Sequence, residues 1–429
     1  MDTTQATSVT VVRHRTAMQW RKSDSVWMLG LYGTAIGAGV LFLPINAGIG
    51  GLLPLLIMSI LAFPMTFYAH RGLCRLILSG KPECNNITDV VEQHFGSLAG
   101  NIITLLYFFA IYPILLVYSV AITNTVENVI TYQLHLAAPP RALLALILLV
   151  GLMSIVRLGK DIIVRVMGIL VFPFVAVLMF LAVFLIPHWN ADIFHQPLLT
   201  AGAGQGGLIN TLWLAIPVLV FSFNHSPIIS AFAMAKRGEY GDHAEQKCSR
   251  ILFFSNILMV LTVIFFVFSC VLSLTPAHMA DAKAQNISIL TFLANHFNNP
   301  YIGLLAPLVA SVAIAKSFLG HYLGASEGFS GLLAKSIHKC GKTVHPNTVN
   351  RLTGGFMLIT AWLAATYNPS ILGIIETLGG PVIAMLLFLL PMYAIQKVPA
   401  LARYRGAASN YFVWGVGFVA LTAIIYKLL

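Results

Sequence analysis

A helix that crosses the hydrocarbon core of a bilayer needs about 20 predominantly apolar residues. This chain of 429 residues contains eleven such stretches joined by short polar segments. With 58% hydrophobic and only 9% charged residues, folding in water would leave apolar surface on every side, so lipid must be the solvent. The expected architecture is an all-α polytopic membrane protein with 11 transmembrane helices. Residues 1–22 are polar and basic and hold no apolar core. They are expected to be a cytoplasmic tail rather than a cleavable leader.

A net charge of +11 suggests nucleic acid until the charges are placed. All but four of the 25 basic residues fall on alternate loops, beginning with Arg13, Arg15, Arg21 and Lys22 and ending with Lys397, Arg403 and Arg405. The exceptions are Arg141, Lys283 and Lys427 on the opposite side and Lys316 inside a span. Positive charge marks the cytoplasmic side. An odd number of spans then puts the N-terminus inside and the C-terminus outside, across the cytoplasmic membrane, with lipid as the surrounding partner and no nucleic acid.

Several function classes lack their chemistry. The five cysteines form no disulfide framework in this topology, and no Cys or His spacing resembles a metal site. No Gly-rich phosphate loop follows a strand, which argues against a primary pump. An enzyme would need a nucleophile, a metal cluster or paired acids in one cavity, and no such set stands out. A sensor would be expected to carry a signalling domain, and none is evident. No cofactor, metal or obligate protein partner is expected.

Two spans carry backbone-breaking sequence at membrane depth. Span 1 contains Gly-Thr-Ala-Ile-Gly-Ala-Gly, from Gly33 to Gly39, and each Gly disfavours helix by about 1 kcal/mol relative to Ala. Close packing through small residues would explain that run by itself. Span 6 carries Phe-Ser-Phe-Asn-His-Ser-Pro, from Phe221 to Pro227, which removes a backbone donor and concentrates polar groups in the bilayer. Irregular backbone at that depth persists only where it is buried in protein or lines a wet cavity. Five spans, an odd number, separate the start of span 1 from the start of span 6, so two five-helix halves would insert in opposite orientations, as in inverted-repeat transporters with a midplane site. The expected organisation is a tail at 1–22, a first repeat at 23–187 (spans 1–5), a second at 188–396 (spans 6–10), and a loop with span 11 at 397–429. Half-helix amides would face a carboxylate and freed carbonyls an ammonium. An α-amino acid carries both. Short helices outside the spans are expected at Thr88 to Phe95 and Asn286 to Phe297, as lids or as ordinary loop helices.

The segment from Trp27 to Pro44 (WMLGLYGTAIGAGVLFLP) resembles the first span of the hydroxy and aromatic amino acid permeases. The resemblance extends over nearly the whole chain through Leu105 to Thr125, Val220 to Ile229 (VFSFNHSPII), Lys316 to Gly324 (KSFLGHYLG) and Glu376 to Pro381 (ETLGGP). It implies a leucine-transporter-type fold, with a 5+5 inverted repeat and helices 1 and 6 broken. Within the family the likeness is to the serine branch, which implies import of L-serine with a proton. The threonine branch is the close neighbour, so L-threonine or another small hydroxy amino acid, including D-serine, is the alternative.

That resemblance places substrate contacts at Thr34, Gly37, Ala38 and Gly39 in the first break, at Ser222, Phe223, Asn224, His225 and Ser226 in the second, and at Ser317. A structural role for His225 stands as an equal alternative. Lys316 is the basic residue in mid-span, where a charge needs a function or a partner. In sodium-coupled relatives of this fold, span 8 and the first break hold a sodium ion. An ammonium at that position would replace the ion, which disfavours sodium and makes the proton the coupling ion. Glu376 is the second candidate for proton coupling, with a structural role as the alternative. Tyr112 and Tyr118 are candidates to line the pocket or gate it, against plain packing, and His321 is a candidate relay. Glu127 and Glu327 are read as boundary residues.

Overall fold

The computed structural model describes residues 19–84, 86–156, 160–190, 192–194, 207–297, 299–339 and 345–426. Among these the regular elements are all helical. Each expected span coincides with a helix or a helix pair. Among the described residues, by length and hydropathy alone, 7 helices qualify as membrane spans, and the pair Lys22–Ala35 and Ala38–Ile49, bent by 46°, makes an eighth. Span 4, Arg141–Val156, and the first half of span 6, Leu208–Ser222, are shorter apolar helices. Span 9 is the 22-residue helix Pro346–Tyr367. Large apolar side chains such as Ile60, Ile209 and Leu304 stand exposed on the outer faces, as they should where the solvent is lipid.

Both breaks fall where the sequence is least able to hold a helix. Span 1 is helical over Lys22–Ala35, extended at Gly37, then a 3-10 turn over Ala38–Leu41 before helix resumes at Leu43–Ile49. Span 6 runs over Gly207–Ser222, opens at residues 223–225 and resumes at Ser226–Tyr240. Pro227 lies in the first turn of that second half, where a missing donor is tolerated.

The halves then sort into neighbours. Span 7 (Ala244–Ser273) packs against span 2 (Leu52–Leu78) and the first half of span 1, and the second half of span 6 packs on spans 2 and 7. Spans 3 (Ser97–Asn128) and 8 (Pro300–Lys339) pack together along their length. Span 10, Ile371–Lys397, is relaxed by two π segments, Ile375–Gly379 and Met385–Leu389.

The expected inner loop helix is present as Ile87–Phe95, capped by the Asn86 side chain on the Asp89 amide. The outer one is Ile289–His296, capped by Ser288. A further helix, Pro276–Ala284, lies against Leu43–Ile49, the second half of span 1; it was not anticipated. Arg13, Arg15, Arg157, Lys342 and Lys427 lie outside the described residues, as does Cys340.

Candidate functional site

The two breaks meet. Ser222 Oγ donates to the Gly39 carbonyl at 3.3 Å, and a side chain at Gly39 would put its Cβ 2.8 Å from the Phe221 ring. Span 8 closes the other side. Ala38 N–H donates to Ser317 Oγ at 3.1 Å, and a Cβ at Gly37 would sit 2.9 Å from that same oxygen. Glycine at both positions therefore admits spans 6 and 8 to the unwound backbone, a closeness that a side chain would prevent.

Lys316, buried, reaches the same break from beneath. Its Nζ donates to the Gly33 and Ile36 carbonyls, each at 3.3 Å. These acceptors are released where the first half of span 1 stops, at the end of the helix that carries negative partial charge. No carboxylate ion-pairs with Lys316 among the described residues. The ammonium is thus solvated by two peptide carbonyls of the break.

Around that centre the candidates divide. Phe223 and Ser222 are buried at the second break, and the Asn224 side chain accepts from the Ser226 amide at 3.0 Å. Tyr118 is buried beside the break, 6.5 Å from the Phe221 ring and edge-on to His321 at 5.1 Å. His321 bonds back to the Ser317 carbonyl at 2.8 Å. The His225 ring turns to span 2, where it stacks on His70. Thr34 lies on the exposed face of its helix, bonded to the Gly30 carbonyl. Tyr112 stacks between Phe108 and Phe356 in an aromatic group that joins spans 3 and 9. Neither Thr34 nor Tyr112 is brought to the breaks.

Glu376 is separate from the Lys316 centre. It is buried in the first π segment of span 10, 3.2 Å from Lys283 of the helix Pro276–Ala284, and accepts from Asn46 at 3.3 Å. It therefore links span 10, the second half of span 1 and the helix Pro276–Ala284. A cavity of about 600 Å³ lies away from both breaks, between spans 4, 8 and 9, with Arg351 and Asn347 in its lining. No group of His, Cys, Asp and Glu suited to a metal occurs among the described residues.

Where the start of span 1 meets the end of span 6 and the start of span 7, Asp24 is wholly buried with Lys236 at 2.9 Å, Lys247 at 2.8 Å and the Tyr240 hydroxyl at 3.0 Å. Glu239 adds contacts to Lys236, Ser23 and Arg21. In the sequence Lys236 and Lys247 fall among the loop charges, and neither Asp24 nor His70 stands out. A signal was present for His70 alone: an ionisable residue within a span asks for a partner.

The match to known proteins covers this whole arrangement. A family model described as the tryptophan/tyrosine permease family matches residues 24–429. The chain belongs to that family. It is 66% identical over 429 residues to the serine transporter SdaC of Escherichia coli K12, with both chains covered completely. It is 50% identical over 427 residues to the threonine/serine transporter TdcC of Yersinia enterocolitica, covering 96% of this chain and 97% of the relative. Among solved structures it resembles MhsT in complex with L-phenylalanine, with a TM-score of 0.56, 14% identity, and 96% and 98% of the two chains covered. It also resembles a mutant form of the Eremococcus coleocola manganese transporter, with a TM-score of 0.61, 12% identity, and 93% and 85% covered. The permease is thus a multi-pass inner-membrane transporter of the leucine-transporter type that moves a small molecule, and it is not an enzyme.

Proposed function

We propose that this permease imports L-serine together with a proton, binding the amino acid between the two breaks and using the Lys316 ammonium as the coupling charge. The observation that carries the reading is the seat of Lys316 on the Gly33 and Ile36 carbonyls. A positive charge is provided there by the chain itself, so its arrival and departure as a proton does the work a bound cation would do. L-serine is favoured by the full-length likeness to a serine transporter.

The backbone of Gly37, Ala38 and Gly39 would take the carboxylate. The opened turn from Ser222 to Ser226 would take the ammonium and hydroxyl, with Ser317 and Tyr118 closing the space. Glu376 is then a tie on the outer side rather than the coupling group. The likeness to a threonine/serine transporter supports L-threonine as the second substrate reading. The N-terminus is assigned to the cytoplasm and the C-terminus to the periplasm.

The test is radiolabelled L-serine uptake in proteoliposomes under an imposed proton gradient, with and without sodium, competed by L-threonine, D-serine and tryptophan. Proton-driven accumulation blocked mainly by L-serine is expected. A sodium requirement would remove the coupling assignment, and preferential block by another competitor would remove the substrate.

A further inference from the structure

His70 of span 2 and His225 of the span-6 break are both buried, with rings 3.5 Å apart and 3° from parallel. Their hydrogen bonds settle where the protons sit. His70 Nδ1 lies 2.7 Å from the Thr66 carbonyl, which can only accept, so Nδ1 carries hydrogen. His70 Nε2 faces the His225 backbone N–H at 3.2 Å, so Nε2 carries the lone pair. His225 Nδ1 lies 3.1 Å from the Phe223 carbonyl and likewise donates. His70 is therefore neutral, in a single tautomer, and accepts a main-chain hydrogen bond from another span.

That bond answers a specific need. In an unbroken helix the His225 amide would donate to the Phe221 carbonyl four residues earlier. Here the Asn224 amide takes that carbonyl, at 3.3 Å. His225 is the N-cap of the second half-helix, and its own side chain makes no cap bond. A buried N–H left without an acceptor is strongly disfavoured, and His70 supplies the acceptor from span 2.

We propose that His70 is the positioning residue of the span-6 break. By accepting the His225 amide and stacking on its ring, it sets where the second half-helix begins and so fixes the backbone from Ser222 to Ser226 that faces span 1. His225 then acts through the shape of the break, with its side chain committed to span 2. The effect on substrate affinity rests on the site reading above; the effect on the backbone does not.

Two variants separate an acceptor from a mere filler. His70→Phe keeps a flat ring but has no acceptor, whereas His70→Gln restores an oxygen acceptor without the stack. Amide hydrogen exchange over residues 221–229 in purified protein is expected to quicken about tenfold or more in His70→Phe. In His70→Gln it should stay within about threefold of the parent. L-serine KM should follow the same split, rising about tenfold in His70→Phe with little change in maximal rate.

His70→Leu, also without an acceptor, serves if His70→Phe does not assemble. Unchanged exchange in the Phe and Leu variants, or a Gln variant as disturbed as they are, overturns the proposal. If the parent protein takes up no L-serine, the substrate reading fails while the exchange result still decides the role of His70.

Discussion

Buried charge is held in two different ways in this permease. At the start of span 1, Asp24 sits between Lys236 and Lys247 with a tyrosine hydroxyl completing its shell, and Glu239 shares Lys236. At the first break, Lys316 rests on two backbone carbonyls with no carboxylate ion-paired to it among the described residues. Opposite charges that neutralise one another in a dry site are strongly interdependent, because removing one strands the others. A cation solvated only by peptide dipoles has no such counterweight, so its proton can leave without stranding a carboxylate. The first arrangement suits a permanent fastening between the first half of span 1, the second half of span 6 and span 7. The second suits a step in a cycle.

The sharpest way to break this comparison is Asp24→Ala. It removes the carboxylate that two buried ammonium groups share and leaves Glu239 as the carboxylate on Lys236, and a loss of about 3–5 kcal/mol in stability is expected, read as a large drop in thermal midpoint in detergent. A loss below about 1 kcal/mol would mean that the network is no fastening. The outer pair should respond more weakly. Lys283 is 27% exposed, so Glu376→Gln is expected to change stability by about 1 kcal/mol or less and to leave the accumulation ratio intact. If that variant loses accumulation while still exchanging substrate, the coupling role passes from Lys316 to Glu376.

Much of this was legible from residue chemistry. Gly33 to Gly39 and Phe221 to Pro227 announced the broken helices because glycine, proline and clustered polar groups disfavour regular helix whatever surrounds them. Lys316 declared itself as a charge too deep in a span to be incidental. What stayed hidden was pairing across the fold. Lys236 and Lys247 look like ordinary cytoplasmic basic residues until a carboxylate more than two hundred positions earlier is folded onto them. The role of His70 depends on a main-chain amide that is free only because span 6 is broken. Thr34 and Tyr112 show the converse: sequence position next to a break, or on a central span, does not decide which way a side chain points. The π segments of span 10 leave no mark in apolar periodicity.

In the proposed mechanism coupling turns on Lys316, and the most direct measurement compares net accumulation with exchange in Lys316→Ala proteoliposomes. Counterflow of L-serine should persist, while uphill uptake driven by a proton gradient falls to the equilibrium level. Full gradient-driven accumulation in Lys316→Ala would contradict the account and take the ammonium out of the mechanism.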